Sequence, residues 1–203
     1  MSYPPEPWHL RGQMYVSVWP VPRAHLPPLP AVLAAEVRPL TVAGRGLVGT
    51  AWVDYGPGGV LTYRELLSAV LVRRAGRPLV SIVDIWVDSP ASRDGGRALW
   101  GIPKELAELD FRATGGGLDA RATAIAGAWL VDGPRLPGRW PARFSVVQAL
   151  GERTRTTPVR ARAAARLARA GWRVEPDGPL AYLAGRRPWL TLALRDFRMV
   201  FGR

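Results

Sequence analysis

The sequence contains no cysteine, two histidines and, among 28 basic residues, a single lysine. Without cysteine there is no disulfide, no thiolate nucleophile and no cysteine-ligated metal. His9 and His25 are too few for a histidine-rich zinc site and leave serine–histidine catalysis little to draw on. No metal site is expected, and nothing in the sequence implies a cofactor. No run of about 18 uncharged apolar residues occurs, so no transmembrane helix is expected. The first ten residues carry Pro4, Pro5, Glu6 and Pro7 where a signal peptide needs an apolar core. The expectation is a cytoplasmic protein that does not engage a membrane.

The scarcity of lysine carries the most information. Lys104 stands alone in a composition that otherwise uses arginine for positive charge. An ammonium that loses its proton becomes a nucleophile towards carbonyl carbon, whereas a guanidinium with a pKa above ~12 does not. One lysine can also arise by chance in such a composition, so its neighbours have to decide.

What is abundant points to β structure. Twenty-two Gly and 20 Pro are spread without a period, as in a chain of many short elements joined by turns. At 203 residues and 48% apolar, the chain can bury one sizeable core, and one domain spanning 1–203 is expected. The net charge of +12 suits an anionic small substrate as well as nucleic acid. The arginines are scattered except for a concentration between Arg153 and Arg173. No aromatic stacking platform or nucleic-acid motif accompanies them, so a solvated face is expected and no nucleic-acid partner.

Along the chain, residues 7–12 read as an irregular opening segment, and Met14, Val16 and Val18 alternate as in a strand ended by Pro20 and Pro22. Residues 31–38 and 60–73 are apolar segments whose period does not separate helix from strand. Residues 47–55, closed by Gly56-Pro57-Gly58-Gly59, and residues 79–87 read as strands. Ser89 is placed to cap a helix with Pro90 at its first position, running over residues 91–99. Gly101 and Pro103 then force a corner just before Lys104. Residues 109–114 and 118–125 form a hairpin around three glycines, and 128–131 and 143–150 are further strands. For residues 158–173 the arginine spacing fits a helix face (162, 166, 169, 173) and a strand (160, 162) equally well. The chain closes with a strand over 190–201, bulged near Asp196.

Trp100-Gly101-Ile102-Pro103-Lys104-Glu105-Leu106, together with Tyr63-Arg64-Glu65-Leu66, resembles the acetoacetate decarboxylase family. In that family a Gly-x-Pro-Lys segment carries the Schiff-base lysine, and a Tyr-x-Glu about forty residues earlier supplies an active-site carboxylate. Here 39 positions separate Glu65 from Lys104. The segment Pro7-Trp8-His9-Leu10-Arg11-Gly12 and the end of the chain from Ala193 to Gly202 are similar to the family's termini. The resemblance implies a mainly β (α+β) fold, an antiparallel closed β barrel with a few peripheral helices, and a tendency to form homo-oligomers. It implies Lys104 and Glu65 as catalytic groups and a small keto acid as substrate. Arg11, within one residue of alignment, becomes the candidate for the substrate's carboxylate, and Tyr63, Trp100 and Ile102 the candidates for the pocket wall.

The chemistry can be stated from the residues. A neutral lysine amine condenses with a ketone, and the resulting iminium accepts the electrons of the adjacent C–C bond as it breaks. For the amine to be neutral near pH 7, its pKa has to fall well below ~10.4, a change of roughly 4 kcal/mol. Burial in an apolar cavity or a neighbouring cation does this, and acetoacetate decarboxylase is itself the standing example. Two departures from the family pattern bear on the reaction. Glu105 stands where the decarboxylases usually carry a second lysine, and raises the pKa of Lys104 unless it points away. Thr50 stands where another acid is expected. Decarboxylation, aldol, retro-aldol and dehydration chemistry all need the same electron sink. A non-covalent cyclase and a binding protein for small acids are the rival uses of such a cavity.

Overall fold

The structure is a computed structural model and describes residues 3–203. Its strands are β1 (Trp8–Pro22), β2 (Arg38–Pro39), β3 (Thr41–Val42), β4 (Arg45–Tyr55), β5 (Tyr63–Arg74), β6 (Arg77–Val87), β7 (Lys104–Leu106), β8 (Leu109–Thr114), β9 (Gly117–Ala122), β10 (Ala126–Arg135), β11 (Trp140–Leu150), β12 (Arg153–Val174) and β13 (Leu190–Phe201). Two α-helices accompany them, α1 (Ala31–Glu36) and α2 (Pro90–Trp100).

Antiparallel pairing runs β6-β5-β4-β1-β13-β12-β11. β11 then meets β6 through one parallel pair, Val146 with Val80, so the pairing returns to its starting strand. β12 is long enough to serve two neighbours in turn, β11 along residues 153–163 and β10 along residues 166–174. Beyond β10 the sheet continues through β9 and β8. Alternation sends Leu10, Met14, Tyr63, Glu65, Phe197 and Phe201 inward, while Arg160, Arg162 and Arg198 face solvent. Among the described residues no helix is long and apolar enough to cross a membrane.

Several local expectations change. β1 begins at Trp8 and continues through Pro20 and Pro22. The Val18 carbonyl accepts from Trp189 on the β13 side, so Pro20 and Pro22, two and four residues on, turn their missing N–H groups to that same side. β13 has no pairing with β1 past Val18, and nothing is lost. Residues 31–38 divide into the short helix α1 and β2, and residues 63–74 form β5, buried on both faces. Residues 158–173 are wholly strand, since the long-range pairing with β11, β10 and β13 outweighs any helical spacing. The second hairpin strand stops at Ala122 because Ala124 takes a positive φ of 59°. The bulge at Asp196 is present: its φ is 48°, and Arg195 and Asp196 stand opposite Gln13 alone.

Candidate active site

Ser89 accepts a hydrogen bond from the Ser92 N–H at 3.2 Å, and Pro90 occupies the first turn of α2. The helix ends at Gly101 in the left-handed conformation, φ 69°, where a Cβ would lie 2.1 Å from the Ala149 carbonyl oxygen. This corner admits glycine only, and it turns the chain so that Lys104 opens β7, paired in parallel with Ile85 of β6. Arg97 holds the short strand in place, its Nε donating to the Lys104 carbonyl at 2.6 Å and its guanidinium pairing with Glu105.

The Lys104 side chain is 4% exposed and Glu65 2%. Lys104 Nζ donates to Glu65 Oε2 at 2.7 Å and to Ser92 Oγ at 2.9 Å, with the Tyr63 hydroxyl at 3.3 Å. The other carboxylate oxygen, Oε1, accepts from the Tyr55 hydroxyl at 3.1 Å. Tyr55 and Tyr63 stack with ring centroids 4.3 Å apart, which fixes both phenols around the carboxylate. Gly96 lets α2 approach this group: a Cβ there would lie 2.8 Å from Lys104 Cδ and 2.9 Å from Cε.

Burial pulls the Lys104 pKa down, but the Glu65 carboxylate and Tyr63 outweigh it and hold the lysine above its ordinary value. Tyr55 and Tyr63 are both raised, by burial first of all, and keep their phenolic protons. The expectation of a depressed lysine pKa therefore fails in this state. The partner at 2.7 Å is a carboxylate, where a neighbouring cation would have been needed. Glu105 is not responsible: its side chain is 61% exposed and faces away from the pair.

The ion pair lines a cavity of about 280 Å³. Glu65, Tyr63, Trp100, Ile102 and Lys104 all line it, as does Thr50, whose hydroxyl accepts from Trp19 Nε1 at 2.9 Å. Arg11 does not. It follows Leu10 along β1, and the period of two sends Leu10 into the cavity and Arg11 to the exposed outer face beside Gly58. Sequence reasoning passed over Ser92, Tyr55 and Gly96. The signal for Gly96 was a Gly-Gly pair inside a helix, costly unless something approaches closely. Among the described residues no group of three or more His, Asp or Glu side chains is placed to hold a metal ion.

The family model described as acetoacetate decarboxylase (ADC) matches residues 35–133, which include both Glu65 and Lys104. No curated protein matches the chain. Among solved structures, acetoacetate decarboxylase from Legionella pneumophila aligns with a TM-score of 0.71 at 16% identity, covering 100% of this chain and 87% of the other. The enduracididine biosynthesis enzyme MppR, complexed with the condensation product of pyruvate and imidazole 4-carboxaldehyde, gives 0.63 at 16% identity over 100% and 90%. An acetoacetate decarboxylase-like enzyme from Sphingomonas wittichii RW1 gives 0.69 at 14% identity over 99% and 92%.

Proposed function

We propose that the chain is a member of the acetoacetate decarboxylase-like superfamily and, on that premise, a Schiff-base-forming lyase acting on a small keto-acid-type carbonyl compound through Lys104. The observation that carries this reading is a single lysine buried against a carboxylate in the wall of an apolar cavity.

The pair supplies its own proton acceptor. Lys104 Nζ passes a proton to Glu65 Oε2 across 2.7 Å, and the neutral amine adds to the substrate carbonyl carbon. The adduct's nitrogen gives a second proton to the new alkoxide, forming a neutral carbinolamine, and Glu65 returns the first proton to its hydroxyl, which leaves as water while the nitrogen becomes a cationic iminium. The electrons of the neighbouring C–C bond flow to that nitrogen as the bond breaks, leaving an enamine. Protonation of the enamine at carbon and addition of water restore the amine and release the product. A lysine held above its ordinary pKa in the resting state is compatible with this order of steps, since carbonyl arrival and proton transfer occur together.

The bond that breaks carries either a carboxylate or a hydroxylated carbon, and the pyruvate condensation product bound to MppR supports keeping aldol chemistry beside decarboxylation. Non-covalent use of the cavity, as a cyclase or a small-acid binder, is the outcome if no iminium forms. The test is exchange of the substrate's carbonyl oxygen with ¹⁸O-water, which iminium formation and hydrolysis must catalyse. Exchange that is abolished in Lys104→Ala supports the reading, and exchange equal in both proteins rejects it.

A further inference from the structure

The chemistry of the cavity wall points to a substrate class, resting on the iminium reading above. Among the described residues lining it, the charged side chains are Lys104 and Glu65, and these neutralise one another at 2.7 Å. No guanidinium lines the wall, and Arg11 is turned outward. The rest of the wall is largely apolar and includes Met14, Val16, Leu67, Val80, Val146 and Met199. Val16, Leu67, Val80 and Met199 are only partly buried and Phe144 is exposed, so these mark the open side, whereas Tyr55, Tyr63 and Ile102 are buried.

A carboxylate entering this cavity gives up its water and meets no free cation, and the Glu65 carboxylate repels it. An apolar chain on the same path gains free energy for every carbon it buries. We infer that the site selects its substrate by an apolar body of several carbons attached to the reacting carbonyl, and not by gripping a carboxylate. A carboxylate on the substrate, where there is one, is the group lost as carbon dioxide: it enters a region that favours the neutral product over the anion. Branched or straight-chain alkyl and aryl-alkyl carbonyl compounds are the class that fits. At about 280 Å³ the cavity lies just below the usual range of roughly 300–1,000 Å³ for drug-sized ligands, so the body is small.

The experiment uses the wild-type protein with 2-butanone, 2-pentanone, 2-hexanone and 2-heptanone as neutral probes, and with pyruvate and 2-oxohexanoate as anionic ones. Binding is followed by calorimetric titration, and covalent capture by borohydride reduction and mass measurement. The expected result is affinity rising about fourfold per added methylene until the cavity is filled, from roughly 0.8 kcal/mol per methylene. The expected order also has 2-hexanone binding more tightly than 2-oxohexanoate, and pyruvate weakest. Length-independent affinity, tighter binding of pyruvate than of 2-hexanone, or no binding by any probe overturns the inference. The two readings fail separately. Length-dependent binding without any reduced adduct leaves the selection standing and removes the iminium. Adducts that favour pyruvate keep the iminium and remove the apolar selection.

Discussion

Replacing Glu65 by glutamine removes the charge of the site while keeping its shape and its hydrogen-bond acceptor. Two unit charges 2.7 Å apart attract by about 6 kcal/mol at an effective dielectric of about 20. The measured loss should be smaller, about 3–5 kcal/mol, as for other buried pairs stripped of one partner, because Lys104 can escape by releasing its proton. For a chain of about 200 residues this lowers Tm at neutral pH by roughly 6–20 °C. The pH dependence distinguishes this cause from simple loss of packing. In the wild type Glu65 and Tyr63 outweigh burial and raise the Lys104 pKa above its ordinary 10.5. That stabilisation is fully present below the unfolded pKa and is lost only as pH rises through the folded one. In Glu65→Gln burial is left as the largest influence, and the folded pKa drops below the unfolded one. The folded variant then binds fewer protons than the unfolded chain, and its stability increases with pH up to the unfolded value. Thermal melts followed by circular dichroism from about pH 7 to 10 should show the gap between the two proteins narrowing. A gap that stays constant, or a variant as stable as the wild type at pH 7, would refute this account of the pair.

Three further substitutions probe the supports of the site. Gly96→Ala places a methyl 2.8 Å from Lys104 Cδ and should displace the amine from Glu65, reducing turnover at least tenfold. Alanine's better helix propensity, worth about 1 kcal/mol, offsets the strain, so kinetics should change far more than Tm. Ser92→Ala removes an acceptor 2.9 Å from Nζ and should cost about 1–3 kcal/mol in denaturant unfolding. Tyr55→Phe leaves Glu65 Oε1 without its phenolic donor, at a cost of about 1–3 kcal/mol. Denaturant unfolding measures this cost, and a variant as stable as the wild type would contradict the hydrogen bond.

The two residues that meet in the cavity were legible because their spacing and immediate neighbours are local patterns: a corner of Gly101 and Pro103 before Lys104, and Tyr63 two residues before Glu65. Strand membership was readable where β-branched and aromatic residues cluster, as over 79–87, or alternation is clean, as over 190–194, and unreadable over 158–173, where pairing with three strands decides. Arg11 shows the limit of alignment by resemblance, because one step along a strand reverses the face and only the register with β4 and β13 tells which face is inside. The direction of the Lys104 pKa was likewise beyond reach. It turns on how burial is offset by Glu65 at 2.7 Å and by Tyr63, residues 39 and 41 positions away from Lys104. Glu105, suspect by adjacency, is drawn outward by Arg97.

The central claim is that Lys104 becomes covalently joined to the substrate carbonyl. Incubation with a short apolar ketone, reduction by borohydride and peptide mapping measures this directly, since only the N-terminal amine offers another primary amine. The account predicts one reduced adduct, on the peptide containing Lys104 and absent from Lys104→Ala. An adduct confined to the N-terminus, or turnover of a carbonyl substrate that persists in Lys104→Ala, would contradict it.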